Sequence, residues 1–155
     1  MDKEFEHVTI KTADHNIIDG DINLRGNNRV SELFTAADVV FIEINNTSDN
    51  LGLHKDTLFL SKDHIVWVKP TEERINDSEE YKDRTHYELT TVKTVGGVII
   101  EGDVNYKSTP EAEDYFDFYN EKHPFIIMRD GLDNHGNAHH TLFINKKSIL
   151  SIELD

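Results

Sequence analysis

The chain has no cysteine among its 155 residues, only three prolines and a single tryptophan. Without thiols it can form no disulfide, no thiolate metal centre and no cysteine nucleophile. No apolar run approaches the ~20 residues that a membrane-spanning helix needs. Basic residues are also scarce: 16 Lys and Arg stand against 30 Asp and Glu, giving a net charge of −14. The deficit is spread along the chain, −5 over residues 1–70, −3 over 71–85 and −6 over 86–155. A field of that sign repels phosphate backbones and anionic headgroups, so nucleic acid and membranes are not expected as partners. A protein with a basic surface is. Met1-Asp2-Lys3-Glu4-Phe5 lacks the basic and apolar regions of a signal peptide, so the expected location is cytoplasmic. The sequence also lacks Gly-x-Ser-x-Gly, a P-loop, His-Glu-x-x-His and a dinucleotide fingerprint. No Ser, His and Asp stand at a spacing that pairs a nucleophile with a base, so no catalysis is expected.

What the chain does contain is itself, twice. Residues 8–37 align with 90–119 at an offset of 82, pairing Lys11-Thr12 with Lys93-Thr94, Ile17-Ile18 with Ile99-Ile100, Gly20-Asp21 with Gly102-Asp103, and Phe34 with Phe116. After a two-residue insertion near Glu121–His123 the offset becomes 84. Phe41-Ile42 then matches Phe125-Ile126, Asp49-Asn50 matches Asp133-Asn134, and Thr57-Leu58-Phe59 matches Thr141-Leu142-Phe143. Self-similarity at a fixed period marks a tandem architecture. Units of about 70 residues bury little surface alone, so the two copies are expected to pack on each other.

Each copy reads as ββαβββ. Val8 and Ile10 alternate with polar residues, then Ile17–Leu24 follows the turn Ala13-Asp14-His15-Asn16. In the second copy Gly96-Gly97 separates two β-branched runs, a strong hairpin signal because both glycines accept positive φ. Gly20 and Gly102 interrupt the second strand at the same place, which predicts a bulge or bend. Val30, Leu33, Phe34 and Ala37 stand at helical spacing, and so do Ala112, Tyr115, Phe116 and Tyr119. These predict two helices that bury those faces, capped by Asn28 and by Thr109-Pro110. Three strands follow in each copy, with tight hairpin turns expected at Ser61-Lys62-Asp63 and Asn145-Lys146-Lys147. Ile10, Ile18, Ile42, Leu58, Ile65 and their counterparts are expected to form the β core. The boundaries are 5–70 for the first unit, 71–85 for an acidic polar linker and 86–155 for the second unit.

That element order, with a glycine bend and one short helix, resembles the small Sm-like and SH3-like β-barrels, and the tandem resembles uncharacterised bacterial β-rich repeat proteins. The resemblance implies a small barrel for each unit, and no activity follows from it. The Sm signature also needs an Asp and an Asn that bind uridine-rich RNA; Asp21 and Asn23 stand nearest, at another spacing. Ser61-Lys62-Asp63 replaces its Arg-Gly pair. RNA binding therefore does not follow.

Three groups of residues invite a functional reading. Arg25-Gly-Asn-Asn-Arg29, followed by Asn46-Thr47-Ser48-Asp49-Asn50-Leu51-Gly52, resembles the PilZ pattern of Arg-x-x-x-Arg with a later Asp/Asn-x-Ser-x-x-Gly, its glycine one position late. The resemblance implies that Arg25, Arg29 and Ser48 hold a cyclic dinucleotide, two arginines clamping phosphate bidentately. His135, His139 and His140, near Asp133 and joined by His123, offer imidazole and carboxylate ligands for a divalent transition metal. Trp67, the one tryptophan, stands where the second copy has Ser151, which suggests a contact between copies or with a partner. The fold class expected is mainly β (α+β), a pseudo-symmetric tandem of two ββαβββ barrel-like units. The function expected is a protein-interaction or scaffold module without cofactor, monomeric on its own; a sensor of a cyclic dinucleotide or divalent metal is the alternative.

Overall fold

The computed structural model describes residues 4–71, 87–106 and 114–154. The proposed linker, the Thr109-Pro110 cap and Ala112 lie outside the described residues. The protein is mainly β, and its ten strands form one open antiparallel sheet. In chain order the elements are β1 (Phe5–Thr12), β2 (Ile17–Asn23), α1 (Val30–Thr35), β3 (Phe41–Asp49), β4 (His54–Ser61) and β5 (Ile65–Pro70). Then come β6 (Tyr87–Thr94), β7 (Ile99–Asn105), α2 (Tyr115–Tyr119), β8 (Phe125–Asp133), β9 (Ala138–Asn145) and β10 (Ile149–Leu154). Across the sheet they run β10-β6-β7-β8-β9-β5-β1-β2-β3-β4, so each half of the chain supplies five adjacent strands. The halves meet where β5 pairs with β9, and β4 and β10 are the free edges.

Local registers run in parallel in the two halves. Phe5 faces Asn23 in β1·β2, and Tyr87 faces Asn105 in β6·β7. Phe41 faces Ser61 in β3·β4, and Phe125 faces Asn145 in β8·β9. Both second strands bend at their glycine, for a reason other than backbone freedom. The extra residue of the bulge sits on the facing strand, at Asn46 (φ 53°) and Asp130 (φ 51°). The glycine makes room for that strand: a Cβ on Gly20 would lie 2.6 Å from Ile44 Cγ2, and one on Gly102 2.6 Å from Met128 Sδ. The Gly96-Gly97 hairpin does use positive φ, 85° and 81°.

Period-two alternation sends Val8, Ile10, Ile22, Ile42 and Ile44 inward in the first half, where they meet Val30, Leu33 and Phe34 of α1. Leu58 is only half-buried, because its strand is an edge with no strand beyond it among the described residues. Lys62 and Lys146 do not sit in hairpin turns, because β4 does not pair with β5, nor β9 with β10. Instead each begins a 3₁₀ turn (62–64 and 146–148) and runs its amine back under a helix end. Lys62 Nζ donates to the Leu33 and Ala36 carbonyls, both at 2.7 Å, and Lys146 Nζ to that of Glu121 at 3.0 Å. Burial pulls the Lys62 amine down to about 8.

The helices correct two expectations. Arg29, not Asn28, is the N-cap residue of α1, and the Asn28 N–H instead donates to Glu32. In α2 the cap is Asp114, whose carboxylate accepts from the Asp117 N–H at 2.8 Å. Phe118 is the buried residue of α2, while Phe116 is 76% exposed and Tyr115 39%. Counted back from β8 at the offset of 84, Phe118 stands where Phe34 does. The two extra residues thus precede α2 rather than follow it, and five helical residues are too few for periodicity to reveal the shift.

Candidate interaction surface

The joint between the halves shows what this sheet does with an edge. β5 lies beside β9 with Trp67 opposite Ile144 and Val68 opposite Phe143. Val66 and Trp67 pack into the second core among Val98, Ile100, Leu142 and Ile144. From the other face of β8 and β9, Phe125 and Phe143 enter the first core against Phe34, with ring centroids 5.0 and 6.0 Å away. Each buried phenylalanine contributes about 1.5–3 kcal/mol through removal from water. Asn145 locks the seam, its Nδ2 donating to the carbonyls of Ile65 (2.8 Å), Lys62 (3.0 Å) and Asp63 (3.3 Å).

The free edge β4 carries the same Thr-Leu-Phe triplet with, among the described residues, no strand on its outer side. At the offset of 84, Phe41 and Phe59 correspond to Phe125 and Phe143. Phe41 is 58% exposed and Phe59 61%, where their counterparts are 1% and 0%. Val40, next to Phe41, is 57% exposed. Beneath β4 opens a groove of about 470 Å³ lined by Asn16, Ile18, Leu53, Lys55, Leu58, Leu60 and His64, with Asp14 and Asp49 also on its wall. Four of these occupy the positions that Val98, Ile100, Leu142 and Ile144 hold in the second half, where Trp67 fills the space. Asn16 Oδ1 is buried and accepts no hydrogen bond among the described residues.

The groove's carboxylates stay ionised. Asp14 is held below the usual carboxylate range by the Thr12 hydroxyl, against the opposing effect of burial, and by the Asn16 N–H. Asp49 is held low by the Leu53 N–H, again against burial, and by Asn16 and Leu51. The corresponding Asp133 is more enclosed. Burial alone would raise it, but the Asn137 N–H, His139, the His135 N–H and the Asn137 side chain bring it to about 2.

The residues singled out from the sequence fall in separate places. Trp67 lies in the joint, 9% exposed, with His139 5.5 Å away ring to ring. Arg25 is ion-paired with Glu43, and Arg29 begins α1. Ser48 is exposed five positions along β3 from Glu43, about 16 Å at the rise of a strand. The structure does not gather those three. Nor does it gather the histidines: His135 lies in an exposed turn, His139 is buried with Nε2 3.1 Å from Asp133, and His140 is exposed 3.6 Å from Asp130. Among the described residues no three His, Asp or Glu side chains group closely enough to hold a metal ion. Sequence reasoning missed the groove because it exists only where a strand is absent, and it missed Asn145 because Ser61 stands at that place in the first half. His123, offered as a further ligand near those histidines, is instead half-buried, with Nε2 unpartnered among the described residues and its ring 5.3 Å from that of Phe118. His123 also lines a second cavity of about 430 Å³, together with Val39, Lys62, Phe125 and Lys146. No helix among the described residues is long and apolar enough to cross a membrane. The chain matches no protein-family model, no curated protein and no solved structure.

Proposed function

We propose that the chain is a non-catalytic protein-interaction module that receives its partner along β4. The observation that carries this reading is the exposure of Phe41 and Phe59, whose counterparts Phe125 and Phe143 are buried by a neighbouring strand and core. An unpaired edge flanked by large apolar side chains supports recognition by strand addition, in which main-chain hydrogen bonds give affinity and side-chain pockets give selectivity. The charge of −14 favours a partner with a basic surface and disfavours nucleic acid and anionic membrane. It also opposes self-association, so the chain acts as a monomer that binds another cytoplasmic protein. In this reading each half is a copy of one barrel-like unit, of the Sm-like or SH3-like order, and duplication lets one copy cover an edge of the other while a second edge remains for the partner.

Site-specific photo-cross-linking tests the proposal. A photoreactive amino acid at position 59 should capture a specific protein in cells, and one at position 9, within the paired sheet, should not. Equal yields at both positions, or none at position 59, would defeat the reading.

A further inference from the structure

The groove beneath β4 is shaped like a site that the same chain fills elsewhere. In the second half the corresponding surface holds Val66 and Trp67 of β5, with Trp67 only 9% exposed. The first half has the same aliphatic floor in Ile18, Leu58 and Leu60, the same edge strand, and an open volume of about 470 Å³ where the indole would lie. Nothing in the chain supplies that indole. By the offset of 84, the element of this chain that corresponds to β5 is β10, and at the tryptophan position it has Ser151. A second copy docking β10 on β4 would pair backbones and leave the groove empty.

We propose that the groove binds an extended segment of another protein that carries a tryptophan or similarly large aromatic residue with basic neighbours. This rests on the interaction-module reading and names the chemistry of its partner. The internal joint sets the register. The aromatic residue stands opposite Leu60, as Trp67 stands opposite Ile144, and the residue after it stands opposite Phe59, as Val68 stands opposite Phe143. Selectivity comes from the walls. Lys55 occupies the place of His139, which lies 5.5 Å from the Trp67 ring, so a cation faces the aromatic side chain. Asp14 and Asp49 stand on the wall as carboxylates and favour basic residues beside the aromatic one. β5 itself carries such a residue, Lys69, whose amine reaches the Ala138 carbonyl at 3.4 Å.

The probe is a labelled synthetic peptide with the sequence of residues 63–70, solubilised by two added lysines, and titrated into the full chain by fluorescence anisotropy. The peptide should bind, and its Trp→Ser form should bind at least about ten-fold more weakly. Leu58→Trp, which fills the groove from within, should abolish binding at an unchanged melting temperature. Ser151→Trp provides an independent test should Leu58→Trp fail to fold. It gives β10 the missing side chain, so light scattering should show concentration-dependent head-to-tail association that the unsubstituted chain does not show. Equal binding of the Trp and Ser peptides, binding of neither, or a Ser151→Trp chain that stays monomeric would overturn the proposal. So would a salt-resistant oligomer of the unsubstituted chain that the peptide cannot dissociate, which would make a second copy the occupant. Cross-linking at position 59 without peptide binding would leave the module reading standing and remove this inference alone.

Discussion

Strands β4 and β9 carry the same Thr-Leu-Phe triplet and pair with a neighbour on one side in the same register, yet Phe59 is 61% exposed and Phe143 is fully buried. Local sequence therefore determines that these residues form a strand and which face each side chain takes. It does not determine whether that face is covered. Cover comes from a strand distant in the chain, β5 for β9, and among the described residues no strand covers the outer side of β4. The two edges form an internal experiment in which the local code is constant and the tertiary context varies.

Four measurements would break or sharpen that comparison. The largest effect is expected from Phe143→Ala, which should destabilise the fold by about 3–5 kcal/mol in urea titration, against less than about 1 kcal/mol for Phe59→Ala. Equal losses would mean that the β4 edge is covered in solution. Next comes acid sensitivity. Burial, with some help from the nearby Lys146 charge, lowers His123 to about 4. The unfolded chain binds this proton at about 6.5, so the contribution is complete above that pH and is lost as pH falls from about 6.5 to 4. The loss should reach up to about 3 kcal/mol. His123→Gln should flatten that part of the stability profile, since the corresponding Val39 gives the first half nothing to titrate. Any fall belonging to Asp133 comes lower, below about pH 3.8. Third, Asn145→Ala removes a donor shared by three carbonyls and should cost about 1–3 kcal/mol, against almost nothing for Ser61→Ala. The smallest effect concerns the scattered polar groups. A cyclic dinucleotide or a divalent metal should produce no measurable thermal shift, whereas a ligand at 100 times its Kd would add about 2.7 kcal/mol.

Much of the strand content was legible in the sequence, because period-two alternation and turn glycines are local signals. The Gly96-Gly97 signal also anticipated the hairpin of β6 and β7. The seam was not legible. It depends on Trp67, Phe125, Phe143 and Asn145, which are brought together from positions up to 78 residues apart and differ in two cases from their counterparts. α2 was placed in the wrong frame because Phe116 and Phe118 both suit a five-residue helix, and only packing against Tyr106, 5.0 Å from Phe118, selects between them. Lys62 escaped notice because lysine is ordinarily solvated, and its burial rests on helix carbonyls that no sequence pattern marks. Exposed edges were anticipated in general, but the sequence could not say which edge would remain open.

The position of β5 between β1 and β9 also has a consequence for synthesis. β9 begins 68 residues after β5 ends. At a translation rate of about 5–20 residues per second, Val66 and Trp67 wait about 3–14 s for their cover. During that interval a nascent first half displays both an uncovered tryptophan strand and, at β4, a groove of the kind that strand fills. Neighbouring chains on one messenger are therefore matched to capture each other. The competition ends when β9 emerges, because a strand tethered to the same chain acts at millimolar effective concentration and a neighbouring ribosome's product does not. The order of the strands along the chain thus makes correct assembly a matter of timing.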